Sequence, residues 1–162
     1  MSAVTAAFYK PAAAKAGGVK RGFNSMKFVT GALLIMFTTS AMAAGSSAGY
    51  GMGGKFARFD PVVAEYNRSG ELFRIEGHCQ SACTLFLSIR NVCVEPGAAL
   101  LFHAGNDRNN AVSVKSTNHL LAAYKPKLRQ YLVSNHYVDT PAFHAISGRE
   151  LIEKFGYRAC AR

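Results

Sequence analysis

Acidic side chains are scarce. Nine Asp and Glu stand against nineteen Lys and Arg in 162 residues, a formal net charge of +10. Residues 1–43 contain no acid at all, while holding Lys10, Lys15, Lys20, Arg21 and Lys27. Beyond them the basic excess is spread out, and no stripe alternates aromatic with basic residues, so a nucleic-acid interface is not expected. No apolar run reaches the roughly 20 residues that a bilayer-spanning helix needs. Paired short Cys-x2-Cys spacings, the mark of a structural zinc site, are missing too. No internal repeat is present, and the length suits one domain. No metal or cofactor is therefore expected.

The acid-free start reads as an export signal. Lys20, Arg21 and Lys27 supply the positive flank, and an apolar run of about a dozen residues follows from Phe28 to Phe37 and beyond. Ala41-Met42-Ala43 then offers small residues at the two positions that a signal peptidase reads. Residues 1–43 are expected to be an N-terminal extension and signal peptide cut after Ala43, with Met26-Lys27 a more ordinary start. The mature protein is expected to be periplasmic or secreted, with no stable membrane span after cleavage.

Export changes the reading of the cysteines. All four, Cys79, Cys83, Cys93 and Cys160, lie beyond the signal, and an oxidising compartment favours two bridges with three alternative connectivities. Free thiols are one alternative. A metal set drawn from Cys79, Cys83, Cys93 and His103 is a weaker one.

Residues 44–52, rich in glycine and serine, read as a flexible segment. Pro61 opens a short helical pattern closed by Ser69-Gly70. Leu72-Phe73-Arg74-Ile75 alternates as a strand does, and Gly77 stops it. A continuous apolar run, Ala82 to Leu87, predicts a buried helix. Val92-Cys93-Val94 and Ala99-Leu100-Leu101-Phe102-His103 read as strands around a Pro96-Gly97 turn. A polar loop spans 105–110. A helical stretch over 117–133 is broken by Pro126, and a last helix over 149–155 ends at Gly156. Alternating strands and helices predict an α/β or α+β domain.

The window Gly77-His78-Cys79-Gln80-Ser81-Ala82-Cys83-Thr84 carries the chemistry. A strand ends at a glycine, and a serine flanked by small residues opens an apolar helix. There it can use the field of the helix N-terminus, and the next backbone N–H can face a developing oxyanion. A serine nucleophile needs a base, and His103, 22 residues on at the end of a strand, is the candidate. The plainer readings are an N-cap for Ser81 and a structural role for His103.

Taken together, Gly-x-Cys-x-Ser-Ala-Cys-Thr, Val-Cys-Val-x-Pro and Leu-Phe-His-Ala resemble the small exported ClpP-like proteins of bacteria, and more distantly the proteolytic subunit of Clp protease. Gly53-Gly54 and the tail Gly148-Arg149-Glu150-Leu151, with a cysteine near the end, extend the likeness over roughly residues 53–160. The resemblance implies a ClpP/crotonase-like domain over 53–162, made of repeated β-β-α units. It implies Ser81 as nucleophile, His103 as general base, and the N–H groups of Gly54 and Ala82 as an oxyanion hole. The position of that subunit's third, acidic residue falls on or near Phe143. Asp139 and Glu150 are the nearest carboxylates, and Asp139 is the candidate. So few residues precede Gly53 in the mature chain that the first strands of such a domain are expected to be absent.

Three functions follow as expectations. The first is an exported serine hydrolase, peptidase-like, acting on a peptide or protein. The second is a non-catalytic module of the same fold that binds a peptide or envelope protein. The third makes Cys79 or Cys83 reactive, with His78 or His103 as partner. The apolar spacing of Leu120, Leu121, Tyr124, Leu128, Tyr131 and Leu132 suits a core or a homo-oligomer contact.

Overall fold

The structure, a computed structural model, describes residues 45–161. The expected signal peptide and its cleavage site lie outside the described residues. Among those described, no helix is long and apolar enough to cross a membrane.

The chain is mixed α/β, with two small three-stranded sheets. The first holds β1 (Gly45–Ser46), β2 (Phe73–Ile75) and β4 (Val92–Val94), in the order β1-β2-β4 and all parallel. The second holds β3 (His78–Gln80), β5 (Ala99–Phe102) and β6 (His144–Ser147), in the order β3-β5-β6. There β3 runs parallel to β5, while β6 runs antiparallel to it. Twice the chain makes one strand in each sheet and then turns into helix. β2 and β3 lead into a 3₁₀ helix over Ser81–Ser88; β4 and β5 lead on to α2 (Val114–Ala122) and α3 (Pro126–Ser134). α1 (Asp60–Ser69) precedes this series and α4 (Gly148–Phe155) closes it.

Local chemistry sets the helix ends. Pro61 and Pro126 sit in the first turns of α1 and α3, where a missing N–H costs nothing. Ser113 and Ser147 cap α2 and α4 by accepting from the N–H groups of Ser116 and Glu150. Gly156, at φ +70°, takes the left-handed turn that ends α4. Pro126 divides the expected helical stretch in two, and the first half begins at Val114, ahead of the expected 117.

The core mixes aromatic and aliphatic side chains. Phe59, Phe73 and Phe86 are fully buried, and the Phe73 and Phe86 rings lie 4.5 Å apart. Leu100, Leu120, Leu128, Leu132, Ile146 and Leu151 are buried with them. Each such side chain contributes roughly 1.5–3 kcal/mol on burial. The expected buried helix after Ser81 is therefore real in its burial, since Ala82 to Leu87 are all covered, but it winds as a 3₁₀ helix.

Two expectations about the start of the domain need correction. Residues 45–52 are not a flexible segment. Gly45 N–H donates to Leu72 O at 3.2 Å and Ser47 N–H to Arg74 O at 3.0 Å, which adds β1 to the first sheet. Ser47 is wholly buried, and its hydroxyl accepts from Glu76 N–H and donates to Glu76 O. A 3₁₀ turn over Ala48–Tyr50 follows. A strand thus does precede Gly53, although it is only two residues long. Gly and Ser composition signals chain freedom only where no backbone partner is on offer, and here β2 offers one.

Candidate active site

Ser81 stands where β3 passes into the 3₁₀ helix. Its φ is +55°, in the left-handed region that residues with a side chain seldom occupy. Holding a non-glycine residue there costs on the order of 1–3 kcal/mol, so the surroundings must enforce it. Several contacts do. Cys79 and Cys83, two positions before and two after, are joined by a disulfide whose Cα atoms lie 5.2 Å apart, and both are fully buried. Thr84 Oγ1 donates to Ser81 O at 2.6 Å, so Tyr124 must donate in its own 2.6 Å bond to Thr84 Oγ1, which has a single proton. Burial raises the Tyr124 pKa well above that of an ordinary phenol, which keeps this donor protonated.

The segment 51–54 runs alongside. Gly51 O accepts from Gln80 N–H at 2.9 Å, and Met52 O accepts from the Gln80 side chain at 3.0 Å. Gly53, at φ +71°, approaches so closely that a Cβ there would lie 2.7 Å from Gln80 O and 2.9 Å from Ser81 Cβ. Only glycine fits without displacing the serine. Gly53 N–H is engaged by Tyr50 O at 3.0 Å, whereas Gly54 N–H has no acceptor among the described residues. Ala82 is the second residue of its helix, where a backbone N–H lacks an intrahelical partner. Gly54 and Ala82 thus retain donors on the two segments that meet at Ser81.

His103 follows directly on β5 and is 7% exposed. Its Nε2 lies 2.7 Å from Ser81 Oγ. Serine and histidine, 22 positions apart, are brought together because β3 and β5 are neighbours, with Gln80 opposite Leu101. Burial lowers the His103 pKa, and the Ala104 backbone opposes this in smaller part. The imidazole is thereby biased towards its neutral form, as a general base requires.

The expected third member is not there. Asp139 binds His136 Nδ1 at 2.7 Å, and Glu150 binds Lys154 at 2.7 Å. His103 Nδ1 is buried with no hydrogen-bond partner among the described residues. Phe143 lies against the ring instead, with centroids 4.6 Å apart. Asp139 pairs instead with a histidine only three residues before it, on the exposed surface.

The remaining sequence candidates are also placed. Cys93 bridges Cys160, so all four cysteines are paired and the reactive-thiol expectation falls. His78 meets Gln80, His119 meets Asp60, and His144 stacks on Tyr137. The loop after His103 is folded on itself, with Asp107 Oδ1 accepting from Asn109 and Ala111 N–H groups. Sequence reasoning overlooked the Thr84–Tyr124 chain. A threonine three residues beyond the serine, able to bond back to its carbonyl, was the available signal.

No family model matches the chain, and no curated protein matches it.

Proposed function

We propose that the protein is an exported serine hydrolase of ClpP/crotonase type that transfers the acyl group of a peptide to water. One observation carries this reading above all: Ser81 Oγ lies 2.7 Å from His103 Nε2 while Ser81 is held in a left-handed conformation. A plain N-cap serine needs neither the histidine nor the strained backbone. The twice-made strand–strand–helix order favours the family, and two disulfides favour an oxidising compartment.

The steps follow from the placement of the groups. Ser81 Oγ adds to the substrate carbonyl carbon as its proton passes to His103 Nε2. The carbonyl oxygen takes the negative charge and is met by the N–H groups of Gly54 and Ala82. The C–N bond then breaks, and the nitrogen leaves with the proton from Nε2. Water, giving a proton to the same nitrogen, attacks the acyl ester, and Ser81 leaves with that proton restored. A serine-directed fluorophosphonate should label Ser81 in the intact protein. Ser81→Ala should abolish labelling, and His103→Ala should slow it about a hundredfold or more. Absence of labelling in the folded wild-type protein would overturn this function.

The second reading is a binding module of the same fold. It is favoured by one fact: among the described residues no carboxylate orients His103, and its Nδ1 makes no side-chain hydrogen bond. Under that reading the Ser81–His103 bond is only structural, and peptide binding without labelling is the expected result.

A further inference from the structure

The N–H that Gly54 retains belongs to the peptide unit joining residues 53 and 54. A peptide unit is rigid, so its direction is set by the unit before it and by the two rotatable bonds of Gly53. Gly53 sits at φ +71°, and glycine restrains those bonds less than any other residue would. The aim of Gly54 N–H therefore depends on how firmly the Met52–Gly53 unit is held.

That unit is held at both ends. Gly53 N–H donates to Tyr50 O at 3.0 Å, and Met52 O, on the opposite edge of the same plane, accepts from Gln80 Nε2 at 3.0 Å. A carbonyl oxygen only accepts, so Gln80 Nε2 faces Met52 and Gln80 Oε1 faces His78 Nε2, 2.8 Å away. Oε1 only accepts in turn, so the proton of this bond sits on His78 Nε2. The relay runs from ring N–H to side-chain amide to backbone carbonyl. Side chains at 51 and 53 cannot share the task, because a Cβ would lie 2.4 Å from His78 O in one case and 2.7 Å from Gln80 O in the other.

We propose that Gln80 is a positioning residue for the oxyanion hole: its side-chain amide, oriented by His78, fixes the Met52–Gly53 peptide plane and through it the direction of Gly54 N–H. Gln80 touches no reacting atom. It directly precedes Ser81, so one residue sets the donor and the nucleophile against each other. The consequence for activity rests on the hydrolase reading above; the fixed peptide plane does not.

Gln80→Glu separates the two bonds of the amide, since a carboxylate still accepts from His78 but has no N–H for Met52 O. Gln80→Met, of similar length, removes both. Loss of an oxyanion donor costs about 10²–10³ in rate; a donor displaced but not removed should slow fluorophosphonate labelling of Ser81 on the order of tenfold in both variants. In the labelled wild-type protein the Gly54 amide proton should move downfield in NMR as it bonds the phosphoryl oxygen, and in the variants this displacement should shrink. Labelling at the wild-type rate in both variants would overturn the proposal. So would slowed labelling with an unaltered Gly54 signal, which is the mark of a merely structural loss. Hydrogen exchange at Gly53 N–H reads the peptide plane without any reaction, and the lost bond should quicken it roughly twofold to tenfold. Unchanged exchange in both variants would overturn the fixed plane. If exchange quickens while Ser81 stays unlabelled even in the wild-type protein, the clamp stands and the hydrolase reading fails.

Discussion

The two disulfides differ in almost everything except chemistry. Cys93–Cys160 spans 67 residues and ties β4 to the last turn of the described chain, where Val94 and Ala159 also form a parallel bridge. Cys79–Cys83 spans 4 residues and closes a small ring around Ser81. In the chain-entropy picture the long bridge contributes about 4 kcal/mol and the short one about 2 kcal/mol. The long bridge therefore serves mainly to keep the chain folded. The short one holds one residue in an unfavourable conformation, which a stability measurement alone would undervalue.

Removing each bridge separates these roles. Cys93→Ala with Cys160→Ala should give the largest effect on stability, a loss of about 4 kcal/mol or roughly 10–20 °C in melting temperature. Labelling of Ser81 well below the new midpoint should be unchanged. Loss of labelling there would break the contrast. Cys79→Ala with Cys83→Ala should cost about 2 kcal/mol or less by denaturant titration. Its labelling rate should nevertheless fall on the order of tenfold or more, as Ser81 relaxes and the hydroxyl shifts from Nε2. An unaltered rate would mean that the Thr84–Tyr124 chain alone holds the serine.

The smallest effect is in pH. His103 has its pKa lowered by burial, so the folded ring resists a proton that the unfolded ring accepts near about 6.5. Stability linked to this group is fully present above that value. It declines as pH falls from there towards the lower folded pKa, because the unfolded state then binds more protons. Labelling of Ser81 should likewise hold through pH 6.5 and fall only at lower pH. Comparing wild type with His103→Gln isolates the contribution. A labelling midpoint above about 6.5 would contradict the sign of the shift.

The two blocks around Ser81 and His103 were legible in the sequence because each is local: a strand, a small-residue turn, an apolar run. β2, β4 and β5 were legible for the same reason. β1 and β6 were not. Gly45-Ser46 has no side-chain pattern to read, and its place depends wholly on what β2 presents. His144-Ala145-Ile146-Ser147 is too short for an alternation to stand out, and only its antiparallel partner β5 explains it. The choice of acid failed for a similar reason. Distance along the chain suggested Asp139, yet sequence proximity does not say which imidazole a carboxylate meets, and this one meets His136. The missing acid was placed on or near Phe143; that its ring would lie beside the His103 imidazole could come only from three-dimensional contact.

The buried Ser47 hydroxyl reaches across the first sheet to hold both backbone groups of Glu76. A chain shortened to begin at the glycine pair would lose this clasp, along with the Gly51 carbonyl on which Gln80 rests. Glu76 would be left with an unanswered donor and acceptor at the edge of the molecule, open to pairing with a second chain. Trimming what looks like spacer would thus turn a finished border into an adhesive one.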